Sequence, residues 1–177
     1  VLEYQITCYL GLGANKGDRA ENIRNALDII SQRDGITLLK YSSVYETEPI
    51  GVSNQPYYYN CVAEIRTGLE PHQLLKTLKS VEYELGREPN THLLPRPIDI
   101  DILLYGDLEV DSLDLLIPHS RITKRAFVLV PLMELNSDLI HPITRLPLKG
   151  YLEKIKPPQN IKKVIDAGQL FERTQKN

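Results

Sequence analysis

Two carboxylates stand two residues apart in Leu94-Pro95-Arg96-Pro97-Ile98-Asp99-Ile100-Asp101-Ile102-Leu103-Leu104. From Ile98 to Ile102 apolar and acidic residues alternate strictly, a period of two that predicts a β-strand. Ile98, Ile100 and Ile102 then share one face and Asp99 and Asp101 the other, with Cα atoms roughly 6.5–7 Å apart. Carboxylates this close repel each other unless a cation lies between them or one takes up a proton. Asp is also depleted from strands, so the pair calls for an explanation. A solvated strand face at a sheet edge would supply one, but the run continues into Leu103 and Leu104, which points to burial beyond the pair. Arg96 precedes it in a stiff Pro-Arg-Pro context. A rigid acidic pair with a cation beside it suits magnesium and a polyphosphate.

The other candidates are weaker taken singly. Glu82 sits on the shoulder of a helical apolar stripe, where a solvated charge is the ordinary explanation. His119, Arg121, Lys124 and Arg125 form a compact cationic group, either a wet surface or the charge neutralisation that phosphate transfer needs. Arg87 and His92 add cations from a polar loop. Tyr58 and Asn60 share a strand face by the i, i+2 rule. A ring plus an amide suits a flat heterocycle, although a core Tyr and a hairpin Asn are equally ordinary.

The elements that must carry these groups follow from periodicity. Ile6, Cys8, Leu10 and Leu12 alternate with Thr7, Tyr9 and Gly11 as a first strand, and Gly13 to Gly17 reads as a turn. Asp18 with Glu21 is a capping-box pattern that opens a helix with the stripe Ile23, Ala26, Leu27 and Ile30. Residues 36–48 read as one long strand, 49–56 as a loop and 57–67 as a strand pairing antiparallel with it. Pro71 suits the first turn of a second helix, with stripe Leu74, Leu78, Val81 and Leu85. Residues 87–94 form a second loop before the acidic strand, and both loops are expected to close over substrates. A short return strand over 108–110, a basic turn at 121–125 and an apolar helix over 127–135 follow. The strand-like 161–165 has no evident role. The order strand, helix, strand, strand, helix, strand predicts an α+β fold, a ferredoxin-like core whose mainly antiparallel sheet is flanked by helices.

Composition sets bounds. At 177 residues the chain fits one domain over 1–177, with 156–177 as a C-terminal extension. Its net charge of −2 gives no general attraction to nucleic acid or an anionic membrane, so any anion site is local. No apolar stretch is long enough to span a membrane, and no signal peptide opens the chain. Cys8 and Cys61 lie far apart in strand-like runs, as core residues of a reducing compartment would, so the expected location is cytoplasmic. The opening Val1 in place of Met suggests a processed, trimmed or excised chain. Gly11-Leu12-Gly13-Ala14-Asn15-Lys16-Gly17 is not spaced as G-x-G-x-x-G, and no P-loop sequence occurs, which argues against dinucleotide-binding and P-loop folds.

Taken together, the segments Gly13 to Asp18, Ser42 to Gly51, Gln55 to Asn60, Pro95 to Leu103, Ile117-Pro118-His119 and Arg125-Ala126-Phe127 resemble, in this order, the hydroxymethyl-dihydropterin pyrophosphokinases of folate biosynthesis. The resemblance covers roughly residues 5 to 155. It implies a transfer of pyrophosphate from ATP to the pterin's hydroxymethyl group, with ATP, two Mg2+ ions and the pterin as partners, no nucleic acid or membrane, and a monomer. Carried over by motif, Asp99 and Asp101 would bridge the two magnesium ions, and Arg96 and Arg87 would serve the phosphates. Glu82, Ile102, His119, Arg125 and Lys79 would lie along ATP. Tyr58 and Phe127 would sandwich the pterin, while Asn60, Gly13 and the backbone of Thr47, Glu48 and Ile50 would meet its edge. Departures are Ala14 for the commoner Ser, Leu93-Leu94 for a Trp-Gly pair, Ser120 for an aromatic beside His119, and Lys79 for an amide. Two rivals remain: another two-metal phosphotransferase or nucleotidyltransferase, and a non-catalytic ferredoxin-like module binding a small ligand or RNA. The acidic central pair counts against RNA.

Overall fold

The computed structural model describes residues 5–51, 54–89 and 94–172. His92 and Leu93, and with them part of each expected substrate loop, lie outside the described residues. The first strand, β1 (Ile6–Ala14), runs further than its apolar alternation predicts and takes in Gly13 and Ala14, which were expected in a turn. Helix α1 (Arg19–Ser31) starts where Asp18 caps it: Asp18 Oδ1 accepts from Glu21 N at 3.0 Å. It buries the stripe Ile23, Ala26, Leu27 and Ile30.

The stretch expected as one long strand is two, β2 (Ile36–Tyr41) and β3 (Val44–Thr47). The break falls at Ser42 and Ser43, both buried. Ser42 Oγ accepts from Val62 N at 2.9 Å, and Ser43 N and Oγ both donate to Glu134 Oε1, at 3.0 and 2.7 Å. Hydroxyls that bond neighbouring backbone offer it an alternative to the ladder, and here they end one strand and start another.

Strand β4 (Tyr58–Thr67) pairs antiparallel with β1, β2 and β3. Helix α2 (Pro71–Glu84) takes Pro71 in its first turn and buries Leu74, Leu78 and Val81. The acidic strand, β5 (Asp99–Tyr105), pairs antiparallel with β1. A small ribbon follows, β6 (Val110–Asp111) with β7 (Leu116–Ile117), and then α3 (Ala126–Leu135). The strand without an evident role, β8 (Ile161–Ile165), pairs antiparallel with β3. It brings part of the expected C-terminal extension into the sheet.

The sheet order is β5-β1-β4-β3-β8, with β2 also on β4. This is the ferredoxin-like arrangement with one added edge strand. One face carries α1 and α2 over a core that includes Leu10, Leu12, Leu27, Leu78, Ile98, Ile100 and Ile102. The other carries α3 over Tyr9, Val62, Leu103 and Leu104. Burial of each isoleucine contributes roughly 1.5–3 kcal/mol. A one-residue slip of β5 would expose them and bury two carboxylates, so the register that fills the core also aims Asp99 and Asp101 at the opposite face. Among the described residues no helix is long and apolar enough to cross a membrane.

Candidate active site

Strand pairing assembles the site row by row. Gly13 lies opposite Asp99 on β5 and Asn60 on β4; Gly11 lies opposite Asp101 and Val62. The face of β1 between the acidic strand and the Tyr58–Asn60 strand therefore has no side chains at these two positions. A Cβ on Gly13 would lie 3.3 Å from Asn60 Oδ1, and one on Gly11 3.3 Å from Leu103 Cδ2. The result is a cleft of about 750 Å3 whose floor joins a carboxylate half to an aromatic half. Alternate glycines within a strand were the available signal for this floor, marking close approach of another group.

On the carboxylate half, Asp99 is held by cations: its carboxylate bonds Arg87, and Arg96 Nη1 and Lys79 Nζ lie 3.3 and 3.9 Å away. Burial alone would raise its pKa, but the charges of Arg87, Lys79 and Arg96 override that and hold it below the usual Asp range. Asp101 is less well compensated. His119 Nε2 lies 3.7 Å away, and burial together with the charge of Asp99 pushes the Asp101 carboxyl up. His119 Nδ1 accepts from Arg121 N at 3.1 Å, which leaves Nε2 to face the carboxylate. Burial, with Arg125 and Arg121 nearby, pulls the His119 pKa down against the pull of Asp101. Arg121, Lys124 and Arg125 line the cleft beside it.

The aromatic half takes Tyr58, Asn60, Thr47, Glu48, Pro49, Ile50 and Phe127 as its lining. Asn60 Nδ2 donates to Thr47 Oγ1 at 2.7 Å, which orients the amide and leaves its oxygen beside Gly13. The Phe127 ring centroid lies 5.4 Å from Arg125 Cζ, and Arg96 Nη2 lies 3.5 Å from the Tyr58 hydroxyl. These two contacts tie the halves together.

The side chains of two residues expected along the nucleotide, Ile102 and Glu82, do not line the cleft. Ile102 is buried in the core, on the face of β5 away from the cleft, because the period of two that aims Asp101 outward turns Ile102 inward. Glu82 lies beneath the cleft, with Oε1 accepting from Ile100 N at 2.6 Å and Lys79 Nζ at 2.8 Å, and Oε2 2.7 Å from Arg87. Burial pushes its carboxyl up, while Lys79 pulls it down. It anchors Lys79 and Arg87, two of the three cations that reach Asp99. Lys79, Arg87, Arg96, His119 and Arg125 do line the cleft.

Asn15, so far only part of a motif, is a buried junction between the first loop and the Pro-Arg-Pro segment that follows the second. Its N donates to Arg96 O at 3.2 Å and its Oδ1 accepts from Arg96 N at 2.9 Å. Its Nδ2 donates to Gln55 Oε1 at 3.1 Å. Gln159 lines the cleft with no signal in the sequence pattern. Its contribution is set by the pairing of β8, a contact distant in sequence.

The donor set suits a hard divalent cation in part. Among the described residues no three His, Cys, Asp or Glu side chains gather around one ion position. Asp99 and Asp101 are oxygen donors on one face, and the under-compensated charge at Asp101 favours a cation. Magnesium is commonly held by one or two carboxylates, with phosphates and water completing its shell.

Residues 9–137 match the sequence model of the 7,8-dihydro-6-hydroxymethylpterin-pyrophosphokinase family. The chain belongs to that family. It is 41% identical over 156 residues to the 2-amino-4-hydroxy-6-hydroxymethyldihydropteridine pyrophosphokinase of Aquifex aeolicus, covering 88% of this chain and 94% of that protein. It is 44% identical over 147 residues to a folic acid synthesis protein of Pneumocystis carinii, covering 83% of this chain. The match spans only 20% of that fungal protein's length. A solved Plasmodium falciparum HPPK-DHPS structure with pteroate superposes with a TM-score of 0.70 at 16% identity, over 85% of this chain and 42% of that one. That likeness supports the fold.

Proposed function

We propose that the chain transfers pyrophosphate from ATP to the hydroxymethyl group of 6-hydroxymethyl-7,8-dihydropterin, giving AMP and the pterin pyrophosphate in folate biosynthesis. The observation that carries this reading is the single cleft in which Gly11 and Gly13 leave open the path from Asp99 and Asp101 to Tyr58, Asn60 and Phe127. Family membership and the Aquifex aeolicus relative, matched over nearly its full length, support it.

In this reading Tyr58 and Phe127 flank the pterin ring, and Asn60, oriented by Thr47, meets its edge. The hydroxymethyl group then points along the glycine floor towards β5. Its oxygen attacks the β-phosphorus of ATP, the bond to the α-phosphate oxygen breaks, and AMP leaves with that electron pair. Arg96, Arg87 and Lys79 meet the transferred phosphates, and Arg125, His119 and Arg121 the nucleotide side. Their part is positioning and the offset of charge that builds as the bond breaks. Among the described residues no side chain in the cleft stands out as a strong base, which suits a loose transition state that asks little early proton removal. Two magnesium ions, held by Asp99 and Asp101 together with the phosphates, would neutralise the polyphosphate and fix its conformation.

The rival two-metal enzymes are separated by their products. Incubation with ATP, magnesium and hydroxymethyl-dihydropterin, followed by separation of the nucleotides, should yield AMP in step with pterin pyrophosphate. ADP, or turnover independent of the pterin, would overturn the proposal.

A further inference from the structure

Helix α3 opens the segment that carries Arg125 and Phe127, and its N-terminus is capped from an unexpected place. The first N–H groups of a helix need partners from outside it. The residue in the cap position is Arg125, whose guanidinium only donates, and it makes no side-chain cap. Gln159 supplies the missing acceptor from 33 residues further on: its Oε1 accepts from Ala126 N at 2.9 Å. Its Nε2 donates to Lys124 O at 3.1 Å. One planar amide thus grips the backbone on both sides of Arg125, which is held extended at φ −122° and ψ 107°.

Both polar atoms of Gln159 bond backbone on either side of Arg125, which couples the side chain to Arg125 and Phe127. Gln159 is fixed in turn by β8, since Ile161, two residues on, pairs with Thr47 on the cleft wall. A side cavity of about 310 Å3 between Ile50, Phe127 and residues 157–160 adjoins the same wall. This segment lies beyond residue 137, where the match to the family's sequence model ends.

We infer that Gln159 is a positioning residue for the proposed transfer, clamping Arg125 so that its guanidinium and the Phe127 ring meet the nucleotide and the heterocycle together. The inference rests on the reaction proposed above. It distinguishes a hydrogen-bonded clamp from mere packing, and two variants separate these. Gln159→Met keeps the volume and loses both bonds; Gln159→Glu keeps the acceptor for Ala126 N. The expected result for Gln159→Met is about a tenfold rise in the KM for the pterin, as befits a small misplacement of a binding group, with a smaller change in kcat. Gln159→Glu should recover much of that loss. Amide hydrogen exchange at Ala126, which needs no turnover, should accelerate in Gln159→Met and return towards wild type in Gln159→Glu. Wild-type KM in Gln159→Met, or unchanged exchange at Ala126, overturns the clamp. A wild-type chain that is inactive while Ala126 exchange responds as expected would overturn the reaction and leave the clamp standing.

Discussion

Replacing Glu82 tests whether the carboxylate half of the cleft is built from beneath. Glu82 is 2% exposed, and its two oxygens serve Ile100 N, Lys79 and Arg87. Removing one partner of a buried charge pair costs about 3–5 kcal/mol. The lower end applies here, because Arg87 retains Asp99 and the Lys79 side chain is 38% exposed. Glu82→Ala also strands the Ile100 amide, which is within that sum rather than added to it. The expected loss is therefore about 3 kcal/mol, or roughly 6–12 °C in melting temperature for a chain of this size. Glu82→Gln keeps an acceptor for Ile100 N and loses only the charge, so it should cost about 1–2 kcal/mol. Urea unfolding followed by circular dichroism, with equal m-values across the three proteins, measures both. A Glu82→Ala loss under about 0.5 kcal/mol, the range of an ordinary surface change, would refute the reasoning.

The two aspartates should differ in stability though not in function. In metal-free buffer Asp101→Asn should raise the melting temperature by relieving its repulsion with Asp99, whereas Asp99→Asn should lower it by leaving Arg87 and Arg96 short of a carboxylate; thermal melts in EDTA check both. Each should reduce turnover by about a thousandfold in the ATP assay, and near-normal activity in either would contradict the cation site. Gly13→Ala should push the Asn60 amide by a few tenths of an ångström, weakening pterin binding by calorimetry while ATP-analogue binding is kept. Glu134 is held below its ordinary 4.5: burial would raise it, but hydrogen bonds from Tyr45 and Ser43 prevail. Its stabilisation is complete above that value and is lost as pH falls through the depressed pKa. The stability gap to Glu134→Gln in urea melts should shrink in acid, and a gap that widens there would contradict this.

Local periodicity made the helices and the acidic strand legible, since both rest on which face each residue buries. Ile98, Ile100 and Ile102 fill the core as their spacing required, and Asp99 and Asp101 face the cleft. Positions decided by partners far along the chain were not legible. The break at Ser42-Ser43 depends on Glu134, ninety-odd residues away, and β8 finds its place only against β3. The glycines were visible as residues, Gly11 in the first strand and Gly13 in the turn expected after it, but their shared use as a cleft floor lies in the strands on either side. Glu82 and Ile102 were placed along the nucleotide by resemblance alone; their side chains lie under the cleft and in the core, where side-chain direction on α2 and β5 takes them.

The central claim is that the oxygen of a pterin bound over Gly13 attacks the β-phosphorus of ATP held at Asp99 and Asp101. Tracking label from ATP carrying radioactive phosphorus at either the β- or the γ-position tests it most directly. Both labels should arrive in the pterin product in equal yield, with AMP unlabelled, and both transfers should collapse together in Asp101→Ala. Transfer of the γ-label alone, or β-label transfer undiminished in Asp101→Ala, would contradict the account.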